Sequence, residues 1–277
     1  MTTLQKSLST LLRANLIPIR HVSFNRMYTG FSQYYATTVF VKVFEPGRVR
    51  KFTTEKQVTE QLTDRVLTSF QLPSHEWVLV LRDWQLSPLP TVLTPTIVQQ
   101  MGCVVRQFHR RVKLPAGQPA MIPAVDFKSL TDRIARLKTS RHYAQLVTLL
   151  AYFNEHQTTI TATLAQTPSV TLHGDMGRRN FRWHHGRLVL IDFERARQGY
   201  ALEDCLKFFF EDLQLQPELI QAFLRGYGTE LTLPPLVTQW LLLQCSTGIF
   251  TYVNQIPDCR FEAVGTAMLA QITLPNR

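Results

Sequence analysis

The amino-acid sequence predicts an α+β chain of two lobes, a small sheet-containing lobe over residues 1–83 and a larger, mainly helical lobe over residues 84–277. Three observations predict it. Runs rich in β-branched and aromatic residues crowd into the first 84 positions, Pro88-Leu89-Pro90 marks a connector, and helical periodicity dominates beyond it. With 277 residues and 45% hydrophobic content, the chain is long enough to bury two such cores.

The first element is a helix, with Leu4, Leu8, Leu11 and Leu12 at helical spacing between Lys6 and Arg13. It lacks the unbroken apolar core of a signal peptide, so no export is expected. Asn15 to Phe24 and Thr38 to Phe44 read as strands, with a turn expected around Gly30 between them. A charged stretch from Arg48 to Asp64, with Val58 and Leu62 inward, reads as a helix, and Trp77 to Trp84 alternates like a strand. Past the connector, helical spacing runs from Thr96 to Arg111 and from Phe127 to Thr163. Two short apolar runs, Val170 to Leu172 and Leu188 to Ile191, then bracket a polar, glycine-containing loop. Leu236 to Val253 is the most apolar late stretch, but Gln239, Gln244, Ser246 and Thr247 interrupt it. It reads as a buried helix rather than a membrane span, and no membrane partner is expected.

The formal net charge of +10 is unevenly spread: 11 basic against 6 acidic residues over 1–84, 15 against 6 over 85–200, and 4 against 8 over 201–277. No lysine/arginine block, zinc-finger spacing or aromatic-basic repeat accompanies it, which argues against a nucleic-acid partner and for a solvated surface plus a site that takes an anionic ligand. The four cysteines are widely spaced with no C-x-x-C pair, so neither a zinc site nor a disulfide framework is expected, and a reducing cytoplasmic setting fits best.

The polar loop carries the chemistry. His173-Gly174-Asp175-Met176-Gly177-Arg178-Arg179-Asn180 fits H-x-D-x-x-x-x-N, and Asp192-Phe193-Glu194 follows at the end of an expected strand. Phosphoryl transfer needs one carboxylate to orient the attacking hydroxyl, and an amide oxygen with a second carboxylate to hold Mg²⁺ against phosphates. Asp175 suits the first role, Asn180 and Asp192 the others. Lys42 adds a second signal. Strand alternation sends Phe40, Lys42 and Phe44 to one face, where a lysine needs an anionic partner, either a phosphate or a carboxylate. Alone it would equally suit an edge strand protected from aggregation. Glu55 and Glu60 are the available partners on the following helix, and Glu55 is preferred because Val58 and Leu62 follow at +3 and +7.

These residues resemble the aminoglycoside phosphotransferase and choline kinase-like family, small-molecule relatives of the protein kinases. The resemblance covers most of the chain: Val39 to Phe44, Thr54-Glu55-Lys56, the helix ending Val105 to His109, and Leu172 to Phe208. It implies a bilobal protein-kinase-like fold, ATP or GTP as co-substrate, Mg²⁺, and a small-molecule hydroxyl as acceptor. It also implies Asp175 as catalytic base, Asn180 and Asp192 as metal ligands, Lys42 with Glu55 as the phosphate-positioning pair, and Asp204 as a brace for the catalytic loop. Phe40, two before the lysine, would stack on the base, although an ordinary core role fits it equally well. The segment Tyr28 to Gln33 holds only Gly30 where a nucleotide-covering hairpin would be glycine-rich, leaving backbone amides and Ser32 for phosphate contact. Arg178 and Arg179 within the loop either meet anionic charge or face solvent.

No G-x-S-x-G, H-E-x-x-H, G-x-x-x-x-G-K-[ST] or dinucleotide fingerprint competes. Adjacent His184 and His185 suit a turn between strands, and His109 a packed or capping position. The rival reading is a catalytically silent nucleotide-binding regulator of the same fold, against which the complete set Lys42, Asp175, Asn180 and Asp192 argues.

Overall fold

The computed structural model describes residues 2–19, 25–114, 123–228 and 231–274. Helix α1 (Thr3–Leu11) leads into a five-stranded antiparallel sheet of β1 (Ile17–Pro18), β2 (Arg26–Ser32), β3 (Thr37–Phe44), β4 (Val66–Gln71) and β5 (Trp77–Arg82), in spatial order β1-β2-β3-β5-β4. Helix α2 (Val49–Leu62) crosses between β3 and β4. The alternation of β3 gives the sheet two apolar faces. Val39, Val41 and Val43 bury against Leu8 and Leu12 of α1 and against Val78 and Val80 of β5. On the other face Phe44 meets Phe52 of α2, with Leu79, Leu81 and partly buried Phe40 beside them.

Three expectations for this lobe need correction. Gly30 is not in a turn but in the middle of β2, paired with Val39; the turn lies at residues 33–36. Its lack of a side chain serves close approach instead, since a Cβ there would lie 2.2 Å from the Asn15 carbonyl oxygen. The strand expected over Asn15 to Phe24 is present only as Ile17–Pro18, and residues 20–24 lie outside the described residues. Strand β4 was not foreseen, because Thr68 and Ser69 interrupt its apolar pattern and every residue of it is only half-buried or exposed.

After Arg82 the next strand, β6 (Ser87–Pro88), belongs to a second sheet with β8 (Phe181–His184) and β9 (Arg187–Leu190). The remainder is helical: α3 (Pro95–Arg111), α4 (Phe127–Ala135), α5 (Tyr143–Glu155), α6 (Gln157–Gln166), α7 (Ala201–Glu211), α8 (Pro217–Tyr227), α9 (Pro235–Val253) and α10 (Cys259–Ala270). Strands β7 (Val170–Leu172) and β10 (Arg197–Gly199) form a short antiparallel pair. The periodic run from Phe127 to Thr163 is thus three helices, broken at residues 136–142 and at His156, because the apolar spacing continues through tight turns. Helix α9 is buried as expected. Its Trp240 stacks on Phe127 at 4.0 Å and donates its indole N–H to the Ala124 carbonyl at 2.7 Å. Among the described residues no helix is long and apolar enough to cross a membrane.

Candidate active site

The polar loop between β7 and β8 is held by one buried carboxylate. Asp204, in the first turn of α7, accepts backbone N–H bonds from His173 (2.6 Å) and Gly174 (2.8 Å), and a contact from His109 Nε2 at 3.1 Å. Burial raises its pKa, but these donors outweigh that and keep it below the ordinary aspartate value. His109 is a packed residue, closing the chain of bonds to the Tyr227 hydroxyl at 2.9 Å. Gly174 has φ +77, and a Cβ on it would lie 2.1 Å from the Arg195 carbonyl oxygen, so the loop's second residue has to be glycine.

His173 ties the loop to the strand that carries Asp192. Its Nε2 donates to the Ile191 carbonyl at 2.9 Å, and its Nδ1 accepts from the Asp175 N–H at 3.3 Å. Beneath it, Phe193 stacks on Phe108 of α3 with ring centres 5.6 Å apart. Asn180 donates its side-chain amide to the Asp175 carbonyl at 2.8 Å, and its own carbonyl accepts from the Ile191 N–H at 3.0 Å. These bonds tie the loop's two ends to the segment that carries Asp192. Asp192 itself has φ +67, a left-handed backbone that sets its half-exposed carboxylate off the strand line.

Lys42 meets this unit from the sheet. Its Nζ lies 2.6 Å from Asp192 Oδ1, 3.2 Å from Glu194 Oε2 and 3.5 Å from Glu55 Oε2, and 5.1 Å from the centre of the Phe44 ring. Burial alone would lower the lysine pKa; the three carboxylates reverse this and raise it. Glu55 is the partner, as preferred. Glu60 is exposed and pairs with Lys56 at 3.3 Å. Burial, with Asp192 and Glu194 nearby, pushes the Glu55 carboxyl up to about 7 despite Lys42. Glu194 was seen only as part of the motif, yet it joins the cluster: it accepts from Lys51 at 3.1 Å and from the Asn25 side chain at 2.5 Å. Burial raises its pKa, but Lys42 and Lys51 hold it down to about 2.

Asp175 has a separate set of partners. Lys207 of α7 donates to Oδ1 at 2.8 Å, and Arg179 Nη2 reaches Oδ1 at 2.9 Å and Oδ2 at 2.8 Å. Burial would raise this carboxyl, but Lys207 and Arg179 hold it at about 2. Lys207 escaped sequence reading because its spacing along α7 is that of a solvent-facing lysine, and only the approach of the loop gives it a partner. Arg179 is bound to Asp175 rather than free in solvent.

Phe40 shares the Lys42 face and is partly buried at the edge of the Phe44 and Phe52 cluster. Ser32 is placed elsewhere. It is fully buried at the end of β2, donates to the Leu12 carbonyl at 2.6 Å and accepts from the Tyr35 N–H, so its hydroxyl is engaged within the sheet lobe. The segment that leans toward the ion cluster is instead the start of β2, through Asn25 and Glu194.

The donor set fits a divalent cation accompanied by phosphates. Around Lys42, Asp192 and Glu194 match the two ammonium groups of Lys42 and Lys51, and Glu55, with its carboxyl at about 7, adds negative charge as it ionises. Asp192 and Asn180 offer hard oxygen atoms, and Asn180 has already spent its amide nitrogen on the loop. Among the described residues no three His, Cys, Asp or Glu side chains would hold a metal by themselves, so further ligands would come from phosphate and water. A cavity of about 330 Å³ adjoins the loop, lined by Pro88, Leu89, Gly177, Arg178, Arg179, Arg182, Glu211 and Asp212. A larger one, about 680 Å³, lies by the connector among Trp84, Trp183, His184 and His185 and contains none of the motif residues. His185 and Gly186 there form the turn between β8 and β9, whereas His184, expected in the turn with His185, is the last residue of β8.

Comparison with known proteins bears on the fold and the family. No curated protein sequence matches the chain. Among solved structures, choline kinase LicA from Streptococcus pneumoniae superposes with a TM-score of 0.68 at 15% identity, over 97% of this chain and 98% of that one. A thermostable mutant of aminoglycoside phosphotransferase APH(4)-Ia, in ternary complex with AMP-PNP and hygromycin B, gives 0.65 at 13% identity, covering 98% and 99%. Amicoumacin kinase hAmiN, in complex with AMP-PNP, Ca²⁺ and Ami, gives 0.61 at 14% identity, covering 98% and 92%. At such identities these likenesses establish a protein-kinase-like fold. The sequence model of the phosphotransferase enzyme family matches residues 29–236, well over half of the chain, and the protein belongs to that family.

Proposed function

We propose that the protein transfers the γ-phosphate of ATP, or of GTP, to a hydroxyl of a small molecule with the help of Mg²⁺. The observation that carries this reading is that two charge clusters stand on two segments tied together, the Asp175 loop and the Asp192 segment, through the bonds of His173 and Asn180 to Ile191. Lys42 and Asp192 close one, and Asp175 with Lys207 and Arg179 forms the other. Bound Mg²⁺ would neutralise phosphate charge, with Asp192 and Asn180 as its protein ligands. Lys42, steadied by Glu55, binds the nucleotide phosphates, and Phe40 offers its ring to the base. Asp175 orients the acceptor hydroxyl. As the acceptor oxygen bonds to the γ-phosphorus, the bond to the ADP oxygen breaks, and the hydroxyl proton passes to Asp175 and on to solvent.

A carboxylate at about 2 is a weak base, so its work is orientation first and proton acceptance late, when the hydroxyl has become acidic. In this reading the lobes divide near Asp83 and the nucleotide lies between them, and the four free cysteines fit a reducing cytoplasmic setting. The test is ADP release with Mg–ATP across aminoglycosides, choline, amino alcohols, macrolides and sugars, with phosphorylated product identified by mass. Acceptor-dependent product that disappears in Asp175→Asn supports the reading. Tight Mg–ATP binding with no product from any hydroxyl compound would replace it with a silent nucleotide-binding role.

A further inference from the structure

The cavity beside the catalytic loop is where an acceptor would lie, because Arg179 belongs both to its wall and to Asp175. Its charges are not all compensated. Arg179 is paired with Asp175, and Glu211 has Lys207 at 4.0 Å. Among the described residues the other two guanidiniums have only backbone carbonyls as partners. Arg178 donates to the Pro90 carbonyl, and Arg182, on β8, donates to the Phe181 carbonyl at 3.0 Å. Neither forms an ion pair among the described residues. Arg182 is half-buried. Taking a guanidinium out of water without a carboxylate costs stability, and the cost is recovered when an anion arrives. A planar guanidinium is suited to carboxylate, sulfate or phosphate groups, which it binds by paired hydrogen bonds.

Asp212 is the remaining charged group of the wall. It accepts a bond from the Arg178 backbone N–H at 3.2 Å, and burial pushes its carboxyl up to about 6. It is left to receive a hydroxyl or ammonium donor. A volume of about 330 Å³ is at the small end for ligand pockets, which favours a compact occupant.

We infer that the acceptor is a compact hydroxyl compound bearing an anionic group, which Arg178 and Arg182 bind while Asp175 holds the hydroxyl. The inference rests on the phosphotransferase reading for the occupant's being an acceptor, but the anion site itself is testable without turnover.

With the nucleotide site filled by saturating Mg–AMP-PNP, inorganic sulfate is titrated at constant ionic strength and followed by calorimetry. Parent protein, Arg182→Gln, Arg182→Lys and Arg178→Gln are compared after their melting temperatures have been matched to within a few degrees. Sulfate should bind the parent, and each glutamine variant should weaken it roughly ten- to a hundredfold, the range of a hydrogen-bonded charged contact, with the lysine variant in between. Absence of sulfate binding, or equal binding by parent and variants, overturns the inference. In turnover, matched pairs such as D-glycerate and glycerol, or glucuronate and glucose, are offered with choline and kanamycin. A best acceptor that is anionic, with its KM raised in Arg182→Gln and KM for ATP within about twofold, supports the site. A best acceptor that is cationic or neutral overturns it while leaving phosphotransfer intact. Sulfate binding lost in the variants, with no ATP consumed on any compound, supports the anion site and sinks phosphotransfer instead.

Discussion

Lys42 and Asp192, 150 residues apart, share an ion pair of 2.6 Å that joins the sheet lobe to the segment just after β9. Glu55 lies behind the same ammonium at 3.5 Å and is almost fully buried. Lys42→Met should therefore do more than weaken nucleotide binding. It leaves a buried carboxylate without its cation, a change that costs about 3–5 kcal/mol when a buried pair is broken. The sign of the pH dependence follows from Glu55, whose carboxyl is raised to about 7 from an ordinary 4.5. A raised group contributes stability below its unfolded value and loses it as pH rises through the folded one. Without Lys42 the carboxyl rises further. Urea unfolding should show a larger deficit for the variant at pH 8 than at pH 5.5, and equal deficits would exclude Glu55 as the exposed liability.

Asp175→Asn keeps the side chain's shape but removes its charge and its basic oxygen. Turnover on a true acceptor should drop by about 10²–10⁴-fold, with Mg–ATP affinity held within a few-fold. Because Asp175 is held at about 2, the parent's kcat should show no inflection from it above about pH 4. Lys207→Met removes a main cause of that depression, so the acid limb should move to higher pH. An unmoved limb would show that Lys207 does not control Asp175.

Phe40→Ala tests the base-stacking role. The loss of an aromatic contact with a base is worth about 1–3 kcal/mol, so ATP should bind about five- to a hundred-and-fiftyfold more weakly. Phe40 is only partly buried, and the variant should stay folded. Unchanged ATP affinity in calorimetry would assign the ring to the apolar cluster alone.

Asp192→Ala tests the metal. Titrating Mg²⁺ with ATP should raise the melting temperature of the parent and leave that of the variant nearly flat, because Asn180 alone supplies too few oxygen ligands. Equal rises in both proteins would remove Asp192 from the cation site.

Much of this was legible in the residues themselves. The H-x-D-x-x-x-x-N spacing, the lysine on an apolar strand face and the Asp192 strand end are local patterns, because one loop and two strand ends must present those side chains together. The preference for Glu55 over Glu60 was equally local, since helical spacing alone puts Glu55 on the buried side. Tertiary packing decided the rest. Gly30 reads as a turn residue until the Asn15 segment is laid against it, and Ser32 reads as a phosphate donor until the Leu12 carbonyl claims its hydroxyl. Lys207, Glu194 and Lys51 look like surface charges along the chain and acquire roles only where distant elements bring opposite charges within about 3 Å. Periodicity reports which side of an element faces inward, whereas charge pairing depends on which element arrives opposite it, and that is determined only when the lobes pack.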